Sequence, residues 1–476
     1  MACIIPFKGL RYNPDKAGSL ADLVTPPYDV IDAAAQDCYY RRHPYNIIRL
    51  EYGKTYPEDN ENNNRYTRSA KDFKSWLSEQ VLTQEASPAL YLYEQEFTLG
   101  GEKRIRSGFF GGVRLEPYEK GIILPHEETM PKHKADRLAL MRACEASFSP
   151  IFGLYADREN TIISTMRENV KNTAPDVDFT DEDGYGHRMW VITDSRVIGR
   201  VQQTMGDKQI FIADGHHRYE TALNYKKERE SGSIRPGGDS AVSAASSCST
   251  APDGSISCSY TSDPVYNYTM MTLVNLYDPG LVVLPTHRLI ENVASLDKNK
   301  LIEQLKANFT VEEYILKPDK SNFREILAVM EEKMQPGGAV CPADTVKHRH
   351  AFCLYAGDNK IFMLSLKDNI DVTGIMPQDR SKAWQGLDVS VLHSLIIEKH
   401  LGICGELRAK AEHITYSREE EGALDQVDRG EYQLAFFLNP TLVEEVTEIA
   451  GKGEKMPQKS TFFYPKVKTG IVMYKL

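Results

Sequence analysis

The chain of 476 residues lacks any apolar run long enough to cross a bilayer. Stretches such as Gly280-Leu281-Val282-Val283-Leu284 are strand-sized, far below the ~20 residues a spanning helix needs. Met1 to Lys8 shows no basic segment followed by a long apolar one, so no secretory leader is expected. The eight cysteines form no CxxC pair and no metal-ligand spacing, which sets aside structural zinc and a disulfide framework. Free thiols in a reducing cytoplasm are the expectation. Positive charge is also in short supply: 57 Lys and Arg stand against 67 Asp and Glu, a net charge of −10. Such a field repels nucleic-acid backbones and argues against a DNA partner, although a small nucleotide needs only a local cluster of donors. No run interleaves basic and aromatic residues as a single-strand groove would. The phosphate loop GxxxxGK[ST] and the dinucleotide pattern GxGxxG are both missing, and Gly108-Phe109-Phe110-Gly111-Gly112 reads as a bend between strands.

What is present is ordinary for a globular protein: 41% hydrophobic and 26% charged residues. The length suffices for two to three domains of about 150 residues. Within it, Ile210-Phe211-Ile212-Ala213-Asp214-Gly215-His216-His217-Arg218 stands out. An apolar run stops at Asp-Gly and is followed at once by two imidazoles and a guanidinium. Tyr219, Ala222 and Leu223 then recur at helical spacing, so the stretch predicts a strand entering a helix, with Asp214 or Gly215 at the N-cap. Unpaired amides and the positive end of the helix dipole suit an anion there, and His216, His217 and Arg218 add donors. The same residues are also compatible with a plain Asp-Gly turn beside half-buried histidines. One metal ion shared by His216 and His217 is disfavoured, because neighbouring side chains diverge.

Two more stretches carry chemistry. Pro125-His126-Glu127 precedes a helix expected over Lys134 to Glu145, and Met130 stands where HExxH would need its second histidine, so a zinc protease is not indicated. Near the end come Asn439-Pro440-Thr441-Leu442-Val443-Glu444-Glu445-Val446, then Gly453-Glu454, then Pro457-Gln458-Lys459-Ser460-Thr461. With Ala213 to Tyr219, these motifs make the chain resemble the domain-of-unknown-function family one-zero-one-five. That family is similar in turn to the ParB/sulfiredoxin superfamily, most closely to its free serine kinases. In those kinases the Asp-Gly-His-His-Arg run holds nucleotide phosphates, the glutamate of Pro-His-Glu is the catalytic base, and a terminal Pro-Lys-Thr-Thr helps bind the amino acid and the transferred phosphate. Gln458 is inserted between Pro457 and Lys459, and the spacing from Glu127 to Asp214 exceeds that of the much shorter kinases. Sulfiredoxins have a cysteine where this chain has His216, so thiol-based sulfinic acid reduction is not implied.

The implied fold is α/β with mixed sheets: a ParB/sulfiredoxin-like core carrying additional α/β subdomains. The regions expected are 1–115, an N-terminal α/β region; 116–295, the nucleotide-binding core with a flexible insertion over 231–263; 296–367, a small α/β subdomain; and 368–476, a C-terminal α/β region folding back on the core. Asn46 to Glu51 reads as a strand, with Arg49 and Glu51 on one face in a structural ion pair or at a site. Arg288, at a strand end, is a candidate for a substrate carboxylate.

The resemblance implies a nucleotide-dependent kinase of a small hydroxyl compound, free L-serine foremost, with ATP or ADP as donor and Mg²⁺ bridging the phosphates, Asp214 nearby. Glu127 is then the base; His217 and Arg218 stabilise the transferred group; Asp214, Gly215, His216, His217 and Arg218 bind phosphate; Lys459, Ser460 and Thr461 bind the acceptor. The metal ligands are not legible. The alternatives are a nucleotide-binding regulatory module, or a phosphatase or other hydrolase working from the same anion pocket.

Overall fold

The computed structural model describes residues 2–233, 246–250, 256–260, 263–334, 350–404 and 412–476. It is a mixed α/β protein dividing into two compact units. Unit 1 comprises Met1–Pro125, Thr129–Val282 and Pro465–Leu476; unit 2 comprises His126–Glu128 and Val283–Tyr464.

Unit 1 is organised by a nine-stranded sheet. Its strands are β1 (Ile4–Ile5), β2 (Leu90–Leu99), β3 (Glu102–Arg114), β4 (Ile123–Leu124), β5 (Ile151–Tyr155), β6 (Val177–Thr180), β7 (Gly186–Ile192), β8 (Ile210–Asp214) and β9 (Tyr268–Asn275). They lie in the order β4-β8-β5-β9-β3-β2-β7-β6, with β1 paired to β3. β2 and β3 form a hairpin joined through Gly100 and Gly101, both at positive φ, and Gly108 to Gly112, read from the sequence as a bend, lie within β3. The apolar run Ile210 to Ala213 takes the interior position its composition demands, between β4, parallel to it, and β5, antiparallel. Ile210 and Ile212 are fully buried, each contributing roughly 1.5–3 kcal/mol. Helix α1 (Pro131–Cys144) begins with proline at its first position, and α2 (Ser195–Gly206) and α3 (His216–Glu230) complete the frame of the site.

The segment Asn46 to Glu51 is not a strand. The Asn46 carbonyl side chain accepts the Ile48 amide at 3.0 Å and starts a helical turn over Ile48–Glu51. Glu51 makes the structural ion pair, with Arg137 at 3.1 Å. Within the insertion expected over 231–263, Ser246–Thr250 and Ile256–Tyr260 pair antiparallel; residues 234–245, 251–255 and 261–262 lie outside the described ones.

Unit 2 contains a six-stranded antiparallel sheet of β10 (His287–Ile290), β11 (Phe309–Ile315), β12 (Ala351–Tyr355), β13 (Lys360–Leu366), β14 (Ile414–Ser417) and β15 (Leu434–Phe437), ordered β11-β13-β12-β15-β10-β14. Strands from 296–367 and from 368–476 thus share one sheet. Helices α4 (Phe323–Met334), α5 (Glu420–Asp428) and α6 (Val443–Gly451) belong to this unit. The helix that starts at Asp388–Leu392 widens to a π-helical turn at His393–Glu398. Among the described residues no helix is long and apolar enough to cross a membrane.

Candidate functional site

The turn between β8 and α3 in unit 1 is built by its glycine. Gly215 occupies the N-cap at φ 92, and a Cβ there would meet Arg218 Nε at 2.9 Å, so the chain reverses tightly only without a side chain. A register shift between Ile212 and Asp214 re-aims the last residue of β8. Asp214 Oδ2 receives Lys466 Nζ at 2.6 Å, and Oδ1 faces Arg218 Nη2 at 3.5 Å. Burial opposes ionisation of Asp214, yet Lys466 and Arg218 outweigh it and hold the carboxyl well below the usual range. Arg218 also donates Nη1 to the Pro150 carbonyl, which fixes the guanidinium against the turn. His216 is buried. His217 Nε2 accepts the Met130 amide at 2.8 Å, which leaves the proton of a neutral ring on Nδ1, and its ring lies 5.0 Å from that of His133. Farther along α3, Glu220 is held by Thr129 and Lys134, and the Tyr219 hydroxyl donates to the Glu116 carbonyl at 2.7 Å. The helix start is therefore anchored on several sides.

A second cluster forms within unit 2. Glu127 pairs with Met456 in a parallel bridge, and the Met456 amide donates to the His126 carbonyl at 2.7 Å. The Lys459 amide, at φ 55, donates to Glu127 Oε1 at 3.3 Å, and His126 Nε2 shares a 2.9 Å hydrogen bond with Thr461 Oγ1. Two motifs 332 residues apart in sequence thus meet side by side. Beneath them, Arg288 donates Nη2 to the Lys459 carbonyl at 3.1 Å and Nη1 to the Thr286 carbonyl, and it lies over the Tyr416 ring. Arg288 is 1% exposed and burial pushes its guanidinium down to about 10. Its position is that of a support under Lys459. Ser460 Oγ donates to the Pro457 carbonyl at 2.5 Å, and Thr441 Oγ1 donates to the Ser460 carbonyl at 2.7 Å, so the Pro-Thr and Lys-Ser-Thr segments are bound together.

A cavity of about 340 Å³ opens in unit 2 beside this cluster, with Glu128, Arg380, Trp384, Glu398, Tyr416 and Gln458 among its walls. Its size is that of a small-molecule pocket. Arg380, Trp384 and Glu398 carry no motif, and sequence reasoning passed over them. Asn439, which opens the Pro-Thr motif, is buried, and both polar atoms of its amide lack a partner among the described residues, which a bound polar group would supply. Among the described residues no group of three or more His, Cys, Asp or Glu is placed to hold a metal ion.

Of the residues singled out from the sequence, unit 1 gathers Asp214 to Arg218, and unit 2 gathers Glu127, Arg288, Lys459, Ser460 and Thr461. These features define a mixed α/β protein with a glycine-capped turn rich in cations and a separate cluster around one glutamate. The chain belongs to the family described as "Protein of unknown function (DUF1015)", which matches residues 4–390. No curated protein matches it. Similar solved structures include a conserved hypothetical protein from Pyrococcus furiosus, 16% identical, with 75% of this chain and 90% of that one covered and a TM-score of 0.30. A free serine kinase in complex with AMP is 15% identical, with 75% and 86% covered and a TM-score of 0.31. SbnI with a C-terminal truncation, from Staphylococcus aureus, is 10% identical, with 75% and 84% covered and a TM-score of 0.30.

Proposed function

We propose that the protein is a nucleotide-dependent kinase of a small hydroxyl compound, free L-serine foremost, giving O-phosphoserine. The observation that carries this reading is the junction of Glu127 with Lys459 to Thr461, two of the three motifs shared with the serine kinases. A glutamate at that junction is suited to take the acceptor hydroxyl proton as the oxygen attacks phosphorus. Lys459, Ser460 and Thr461 supply a cation and hydroxyls for the acceptor or the phosphoryl oxygens. The Asp214–Arg218 turn of unit 1 supplies helix-terminal amides, imidazoles and a guanidinium suited to nucleotide phosphates.

ATP or ADP is the donor class in this reading, and Mg²⁺, when bound, offsets phosphate charge. Asp214, the carboxylate nearest the turn, is engaged by Lys466 and Arg218 and would have to exchange those partners to hold the ion.

The test separates binding from chemistry. Glu127→Gln is expected to lower serine-dependent nucleotide consumption by about 10²- to 10⁴-fold, the usual worth of a general base, while calorimetry shows nucleotide bound as before. His217→Ala is expected to weaken nucleotide binding itself. A Glu127→Gln variant that consumes nucleotide at the wild-type rate removes the base from the account.

A further inference from the structure

The buried polar groups that this reaction leaves unused concentrate in the central sheet of unit 1. Arg106 on β3 is 2% exposed. It lies 4.8 Å over the Phe152 ring and donates Nη2 to Gln95 Oε1 at 2.5 Å, while its Nη1 has no partner among the described residues. Phe152 is the residue paired with Asp214 across β5 and β8. Gln95 in turn donates Nε2 to the Lys466 carbonyl at 3.2 Å, and Lys466 Nζ rests on Asp214. Arg106 is therefore linked to the turn twice: through the Phe152 ring and through Gln95 and Lys466.

The Asp278 and Asp214 charges act on Arg106, and neither carboxylate is hydrogen-bonded to its guanidinium among the described residues. Asp278 is already taken up by the amides of Ser107 and Gly280, at 3.3 and 2.9 Å, and burial favours its neutral form. A buried guanidinium with an unused N–H is costly unless an acceptor completes it. A fork of guanidinium donors matches phosphate oxygens.

We propose that Arg106 and Lys466 complete the anion site of the Asp214–Arg218 turn, with a phosphate-type anion accepting from the unused Arg106 N–H. Asp214 then holds the Lys466 ammonium in place. The inference rests on the phosphate reading of the turn and is independent of transfer to serine.

Inorganic pyrophosphate, titrated by calorimetry into the full chain, probes the site directly. Wild-type protein is expected to bind it, and Arg106→Gln and Lys466→Gln to bind at least tenfold more weakly, with Arg106→Lys keeping part of the affinity. Without ligand, Arg106→Gln is expected to melt no lower than wild type, because an unpaired buried cation has been removed. Pyrophosphate held equally tightly by Arg106→Gln and Lys466→Gln overturns the inference. So does Arg106→Gln melting far below wild type with its affinity intact, which is the signature of a packing role. Affinity lost in His217→Ala but kept in both glutamine variants sinks the inference and spares the turn. A wild-type protein that ignores pyrophosphate sinks both.

Discussion

At the scale of single residues, the turn at Gly215 makes the sharpest demand on sequence. Its φ of 92 and the 2.9 Å approach of Arg218 leave no room for a methyl group. Gly215→Ala is expected to cost about 1–3 kcal/mol, from left-handed backbone strain and displacement of Arg218, and to weaken nucleotide binding with it. Urea unfolding beside nucleotide titration checks both effects. The turn was legible because everything it needs is local: an apolar run for the strand, Asp-Gly for the reversal, and donors on the next three residues. Arg106 gave no local sign. Its partner Gln95 lies opposite it across the hairpin, but Phe152, and Lys466 beyond Gln95, come from distant segments that only the fold brings together. Arg288 was legible as a strand-end arginine, but neither its burial nor its bond to the Lys459 carbonyl was.

At the scale of elements, short polar side chains decided where periodicity alone misled. Ile47-Ile48-Arg49-Leu50 alternates poorly, and the Asn46 side chain turned it into a helical start. Helix α6 shows the opposite case, a cap whose chemistry reaches beyond local structure. Glu445 Oε2 accepts the Leu442 amide at 2.8 Å and closes the helix start. Burial nonetheless pushes its carboxyl up to about 7, with the nearby Asp388 charge adding to the shift. The folded state then binds a proton that the unfolded chain has lost, so stability declines as pH rises from about 4.5 through about 7. Glu445→Gln, which keeps an acceptor for Leu442, is expected to melt at the wild-type temperature at pH 4 and above it at pH 8. Equal melting at both pH values contradicts the assignment.

At the scale of the whole molecule, the chain doubles back in a way no local pattern announces. Pro465–Leu476 belongs to unit 1 although all of Val283–Tyr464 belongs to unit 2. Lys468 fixes this last segment: it is 3% exposed and pairs with Asp181 at 2.9 Å and Asp183 at 3.2 Å. Lys468→Met is expected to cost about 3–5 kcal/mol in chemical unfolding, because it leaves the buried Asp181 carboxylate without its cation. The order of the motifs was readable along the chain. The meeting of Glu127 with Lys459 was not, since a separation of 332 residues carries no spacing rule.

In the proposed reaction Glu127 takes the proton of a hydroxyl acceptor during phosphoryl transfer. Phosphorus NMR of the purified protein with Mg²⁺, ATP or ADP, and L-serine, run beside Glu127→Gln, tests it most directly. An O-phosphoserine resonance that requires both serine and Glu127 is the predicted result, and the accompanying nucleotide product identifies the donor. Nucleotide bound tightly with no phosphorylated serine in either protein contradicts the account.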